Sequence, residues 1–185
     1  MKPIDDFPPS MKGGPATIRG NRATIILFEG SPLVEGNEVG PPADEWPAIG
    51  VESGEGWIIR GNVVTGSTSS AGAILETLGA GSGSIADNTL VGNDVGISIA
   101  STSTVEGNTI TEGKVGITVA SEGSPSLIGN TVEGLERVGI SIGPWSDPVL
   151  IGNRSCNNGK DIQIFGTREL TIDDSNEICV LPADE

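Results

Sequence analysis

Along 138-VGISIG-143, Val138, Ile140 and Ile142 alternate with Gly139 and Ser141. The same alternation sets Val95, Ile97 and Ile99, and then Val115, Ile117 and Val119, on one side of their segments. Period-two alternation over four to six residues, bounded by Gly, Asn, Ser and Pro, predicts short strands with one buried side. The Val and Ile positions are expected inside, the Gly and Ser positions outside. A second inward set follows each Gly-Asn or Asp-Asn pair: Val64, Leu90, Ile110 and Val132. No apolar stripe of helical spacing persists beyond a turn, and 28 Gly and 12 Pro in 185 residues oppose helices. The pattern predicts an all-β chain.

These words recur at a period. Asn37, Asn62, Asn88, Asn108, Asn130, Asn153 and Asn176 are spaced by 25, 26, 20, 22, 23 and 23 residues. Asn21 stands only 16 residues before Asn37, which reads as too short for a full unit. Several short strands in a unit of about 22 residues, with no helix to carry a crossover, leave few architectures. A leucine-rich repeat lacks its Leu frame here, and a propeller blade needs about 40 residues. A parallel β-helix fits: each unit is one coil, and like positions stack about 4.8 Å apart along the axis. Asn is expected at a turn between strands, buried and bonded to backbone of its own or the next coil, with the preceding Gly avoiding a Cβ clash. The expectation is a single domain over 1–185, with irregular coils and a capping segment in 1–48 and regular repeats in 49–180. About seven coils make a rod of roughly 34 Å.

The words 126-SLIGNTVEGLERVGISIG-143 and 105-VEGNTITEGKVGITVA-120 resemble the right-handed parallel β-helix repeat of the pectate-lyase-like superfamily, most clearly over 84–165. That superfamily includes polysaccharide lyases, hydrolases and epimerases, and NosD-like periplasmic proteins. The resemblance implies the fold and, with the general handedness of parallel crossovers, its right hand. Function is a separate matter, because the repeat records stacking rather than chemistry.

Charge and absent residue types narrow the function classes. A net charge of −15 disfavours a phosphate-neutralising nucleic-acid face and an anionic membrane surface. No apolar run approaches a membrane span, and 1-MKPIDDFPPSMKGG-14 does not read as a signal peptide. The location is therefore cytoplasmic, or extracellular if a signal has been removed. With no His, imidazole metal sites and Ser-His-Asp or Cys-His nucleophiles are excluded. The catalytic words of the superfamily's pectin hydrolases and epimerases are absent too.

Three constellations remain. Aligned on the following Val, Asp94, Lys114 and Arg137 stack, with Glu112, Glu133 and Glu136 beside them. The resemblance implies a lyase could use Lys114 or Arg137 as base and carboxylates to hold calcium; the plainer reading is a solvated ladder of charges. Counting eight residues back from the Asn, a column reads Glu29, then Glu122, Trp145 and Arg168 on the last three coils, with Ser124 and Asp147 two residues further along theirs. An indole flanked by carboxylate and guanidinium could seat a sugar ring, or could be a cation–π pair closing a loop. The acidic stretch 38-EVGPPADEWPAIGVESGEG-56 reads as an inserted loop carrying Trp46. Its Asp44, Glu45, Glu52 and Glu55 are candidate calcium ligands, though no calcium-loop pattern is present.

The coil ends need cover, and Phe7, Ile18 and 25-IILF-28 are candidates at the first end; end-to-end association is an open alternative. Cys156 and Cys179 lie one coil apart in the same column, within bridging reach. Adjacent thiols that can oxidise but need not be oxidised are the expectation, because two cysteines do not make a disulfide scaffold. The function expected is a non-catalytic scaffold binding carbohydrate, without cofactor. Alternatives are a polysaccharide lyase or epimerase using Lys114/Arg137 or Glu122/Asp147, and an ice-binding solenoid on the column Ser98, Thr118, Ser141, Gln163.

Overall fold

The computed structural model describes residues 16–23, 26–42, 46–166, 170 and 172–179. Every strand pair is parallel, and the strands form three sheets in strict rotation. The first face runs from Thr17–Arg19 to Val149–Ile151 in seven strands. The second runs from Arg22–Ala23 to Glu177–Ile178 in eight, and the third from Ile26–Glu29 to Lys160–Ile164 in seven. Among the described residues these make seven three-strand coils and a further second-face strand: a parallel β-solenoid. Phe7 and Ile25 lie outside the described residues; Ile26–Glu29 is the end strand of the third face, paired with Ile49–Ser53.

The short unit at Asn21 is a complete coil. Thr17–Arg19 pairs in register with Leu33–Glu35, and Arg22–Ala23 with Glu38–Val39. Coil length varies in the connections while strand positions stay fixed, so a 16-residue unit stacks as well as a longer one. The stretch 38–56 is likewise not one loop. Glu38–Val39 belongs to the second face and Ile49–Ser53 to the third.

The corners explain the Gly-Asn words. From Asn21 to Asn153 the residue before the Asn is left-handed: Gly20, Gly36, Gly61, Gly107, Gly129 and Gly152 have φ between 59 and 65°, and Asp87 has φ 54°. Asp is among the few side chains that tolerate this region. A second left-handed corner follows five residues later, at Gly66, Gly92, Glu112, Gly134 and Asn157. Between the corners runs the second-face strand. From Asn37 to Asn153 these Asn side chains are buried, Asn108 and Asn130 at 0% exposure, while Asn176 is half-buried and Asn21 exposed. Each amide donates to a carbonyl of the preceding coil, as Asn130 Nδ2 does to Val105 O at 2.8 Å. The side chains also bond to one another in an unbroken ladder from Asn21 to Asn176.

The core holds Ile97, Ile99, Ile117, Val119, Ile140 and Ile142, all buried and stacked in register. The expected alternation fails at one position. Gly96, Gly116 and Gly139 are buried, while Val95 and Val115 are only half-buried. A Cβ on Gly116 would lie 2.4 Å from Val132 Cγ1 and from Gly139 O. The second-face side chain has taken that space, so glycine lines the interior and Val95 and Val115 move to the corner, while Val138 is buried as expected. In the last coil Asp161 replaces this glycine, and Ser155 replaces Val132 opposite it. There Ser155 Oγ donates to Asp161 O at 2.6 Å and Asn158 Nδ2 to Asp161 Oδ1 at 2.9 Å.

Candidate functional site

Trp145 sits in a tight turn between the third and first faces. Ser146 N–H closes the turn on Gly143 O at 3.4 Å. Pro144 fixes φ at the second position, and Trp145 takes φ 65° at the third, the pattern of a type II turn. One coil earlier, Gly123 N–H closes on Ala120 O, and Glu122 takes φ 69° at the equivalent place. The two turns are stitched together: Glu122 N–H donates to Pro144 O at 3.3 Å, Asp147 N–H to Gly123 O at 3.0 Å, and Ser146 Oγ to Ala120 O at 2.7 Å. Holding a side chain other than glycine in this region costs about 1–2 kcal/mol, and the coil stack bears it. Trp145 is 73% exposed on this rigid base. The next strand presents Val149 and Ile151 outward, with Ile128 in register beside Ile151. Glu122 and Asp147 are exposed. Arg168 lies outside the described residues.

The charged corner is also assembled in order. Val115 N–H donates to Asp94 O, Arg137 N–H to Lys114 O and Lys160 N–H to Arg137 O, so Asp94, Lys114 and Arg137 follow one another along the axis. Lys114 Nζ reaches Asp94 Oδ2 at 2.8 Å. Arg137 is exposed and makes no ion pair among the described residues. Glu133 turns away to Arg154, 3.0 Å off on the second face. Of the acidic quartet in 38–56, Asp44 and Glu45 lie outside the described residues, and Glu52 and Glu55 join no cluster of three potential ligands among them. A shallow depression of about 550 Å³ lies between Glu35, Gly36, Arg60, Gly61 and Asp87. Arg60 there is committed to Glu35 at 2.7 Å, and Arg19 also pairs with Glu35. Desolvation would raise the Glu35 carboxyl, but the two guanidiniums outweigh it and hold it below the usual carboxylate range.

Two features escaped the strand patterns. Glu76 is buried inside the third face, paired with Val51 and one residue past the Leu75–Ser98 pair. Burial pushes its carboxyl above the ordinary range, against the pull of Ser101, Ser103 and the Ala100 main chain. Aligning the 26-residue unit from Asn62 on its neighbours would have put it in the column of Ile99 and Val119. The second feature is covalent. Cys156 and Cys179 share a column as expected, but they are bridged, with Cα atoms 5.0 Å apart. In-register strands hold the two residues side by side, so closure needs no backbone movement.

The model of a family described as periplasmic copper-binding protein (NosD) matches residues 11–178. The chain belongs to the NosD family. Searches of curated proteins and of solved structures each returned no match.

The NosD description raises the question of copper. Copper(II) sites draw on imidazole and copper(I) sites on thiolate and thioether. This chain has no His, and Met1 and Met11 lie outside the described residues. Among the described residues, one group of three offers ligand atoms within 4.8 Å of one another: Cys156, Glu177 and Cys179. With its two sulfurs joined, that group supplies no thiolate. As they stand, the described residues of this NosD chain do not fit copper.

Proposed function

We propose that this NosD-family solenoid is a non-catalytic scaffold that binds carbohydrate at the turn stack carrying Trp145. The observation that supports it is a large aromatic ring, 73% exposed, held in a left-handed turn that is bonded to the coil before it. An indole face covers a pyranose ring, and the exposed carboxylates of Glu122 and Asp147 suit sugar hydroxyls. A pre-formed turn loses little entropy on binding. Against catalysis, Lys114 is held in an ion pair with Asp94, and the carboxyl raised by burial, Glu76, lies in the core. The family's description and the disulfide both suit the periplasm or another oxidising space outside the cytoplasm. A glycan array probed with the purified disulfide form tests the reading. Selective retention of one polysaccharide class is expected; uniform background across neutral and acidic glycans sinks it.

A second reading is favoured by the second face. Thr89, Thr109 and Thr131 stack in one outward file, with Thr65, Val91 and Thr111 in the file beside them. Such a regular lattice of hydroxyl and methyl groups suits ordered water, and makes ice binding a better fit here than on Ser98, Thr118, Ser141 and Gln163. Those four do stack in register. An ice-recrystallisation assay separates this reading from the first; crystals that coarsen as in buffer rule it out.

A further inference from the structure

The third face carries different chemistry at the two ends of its strands. At the start of the last two, Arg137 and Lys160 follow one another on successive coils: Lys160 N–H donates to Arg137 O, and Lys160 is in register with Val138. Both are exposed. Neither makes an ion pair among the described residues, where every other Lys and Arg is paired with a carboxylate. On a chain of net charge −15, two neighbouring cations without a counter-charge stand out. Glu136, the carboxylate next to them in sequence, is exposed and pairs with neither.

At the far end of the same two strands stand Trp145 and Phe165. Phe165 N–H donates to Ile142 O at 2.9 Å, and a Cβ on Gly166 would lie 3.5 Å from Pro144 Cα, so Phe165 sits one coil past the Trp145 turn. It is 46% exposed. Between the two ends, the half-buried Ser141 and Gln163 stack in register and offer a hydroxyl and an amide. The strand Val138–Ile142 has five residues. Its first and last residues are about 13 Å apart at about 3.3 Å per residue.

We propose that the glycan bound at Trp145 is a sparsely charged acidic oligosaccharide lying along these strands, with a carboxylate on Arg137 and Lys160 and an uncharged ring on Trp145 and Phe165. This rests on the carbohydrate reading above and adds the class of sugar. A guanidinium offers a carboxylate two parallel N–H donors, and the Lys160 ammonium adds a further charge-assisted bond. The span between the ends exceeds one sugar ring, so only an oligomer reaches both. A chain with an acid group on every ring fits less well. Its further carboxylates meet Glu122 and Asp147 beside Trp145, and like charges at close quarters repel. A neutral chain leaves Arg137 and Lys160 unused. Alternation of charged and uncharged rings satisfies both ends.

The test is calorimetry of the full-length disulfide form with short oligomers of three glycans. Hyaluronan alternates carboxylate-bearing and uncharged rings, polygalacturonate has a carboxylate on every ring, and chitin has none. Hyaluronan oligomers are expected to bind at least tenfold more tightly than either of the others, and at least a hundredfold more tightly than free glucuronate. Added salt should weaken hyaluronan binding and spare chitin binding. Arg137→Gln combined with Lys160→Gln should cost hyaluronan at least tenfold in affinity. The same variant should leave chitin binding and the melting temperature unchanged, because both side chains are exposed. Chitin bound as tightly as hyaluronan, with no loss in the double variant, overturns this inference and leaves the carbohydrate reading standing. Polygalacturonate bound most tightly overturns the sparse charge. Failure to retain any glycan removes the carbohydrate reading, and this inference with it.

Discussion

The carboxamide oxygen of Asn130 accepts two hydrogen bonds from Asn108, one from its main-chain N–H at 3.0 Å and one from Nδ2 at 2.9 Å. Asn130 repeats the gesture toward Asn153 with its own N–H and Nδ2. Each side chain thus satisfies a buried main-chain donor in the coil before it, at a corner where the sheet ladder is interrupted. Aspartate would offer the acceptor without the donors, and serine would not reach. The repeated Asn is a structural requirement of stacking.

Asn130→Ala should therefore destabilise strongly. It orphans the Asn108 N–H and takes the Nδ2 donor from the Val105 carbonyl, while Asn153 Oδ1 keeps the main-chain N–H of residue 130; each buried group left unpaired costs about 1–3 kcal/mol. Urea unfolding is expected to show a loss of about 3 kcal/mol or more. A loss within 1 kcal/mol would mean the ladder is incidental.

The inward glycines give a second expectation. Gly116→Ala forces a methyl group to within 2.4 Å of core and backbone atoms, and overpacking of this kind costs about 1–3 kcal/mol. Gly129 has open space around its missing Cβ and φ 59°, the conformation Asp87 adopts in the same corner column. Gly129→Asn should be within about 0.5 kcal/mol of the parent, since Asn tolerates the left-handed region. Equal melting temperatures for the two variants would contradict the inward placement of Gly116.

Glu76 makes stability depend on pH. Its folded carboxyl is raised, first by burial, so the native state binds this proton more tightly than the unfolded chain. The associated stability is present below the ordinary carboxyl range and is lost as pH rises through the folded value. One carboxylate oxygen, Oε2, has no partner among the described residues. Glu76→Gln removes the charge at nearly constant volume. It should raise the melting temperature at pH above the ordinary carboxyl range and flatten the decline as pH rises through the folded value. An unchanged slope would place the pH dependence elsewhere.

Trp145→Ala tests the proposed sugar site without touching the core, because the ring is mostly exposed. Calorimetry against a glycan retained by the parent should show affinity falling at least tenfold, with the melting temperature unchanged, since alanine keeps the Cβ in the left-handed turn. Full affinity in the variant would move the site away from this turn.

The bridge closes a loop with a sequence separation of 23 residues. Chain entropy assigns such a cross-link about 3 kcal/mol. Cys179→Ser should lower the unfolding midpoint and increase hydrogen exchange first at Glu177–Ile178, the end strand. Exchange that rises uniformly along the solenoid would show that the bridge stabilises the whole rod and does not pin its end.

Repetition made most of this architecture legible in the sequence. Stacked coils place like residues at like positions, so the spacing of Asn62, Asn88, Asn108, Asn130 and Asn153 carries the register directly, and the Ile97, Ile117 and Ile140 column follows from it. What one coil's sequence could not contain is the competition between faces. Whether Gly116 or Val115 points inward depends on Val132, from the second face, having filled the space first. The same holds at the short coil of Asn21, where strand pairing tolerates a connection length that spacing alone had ruled out. Sequence placed Cys156 and Cys179 in one column. Only the folded chain brings Glu177 and Arg154 beside them, because those contacts run across coils through outward side chains that follow no repeat. Glu76 is the clearest case: a charged residue in a three-residue strand is unremarkable locally, and becomes a buried, proton-linked group only when neighbouring coils close over it.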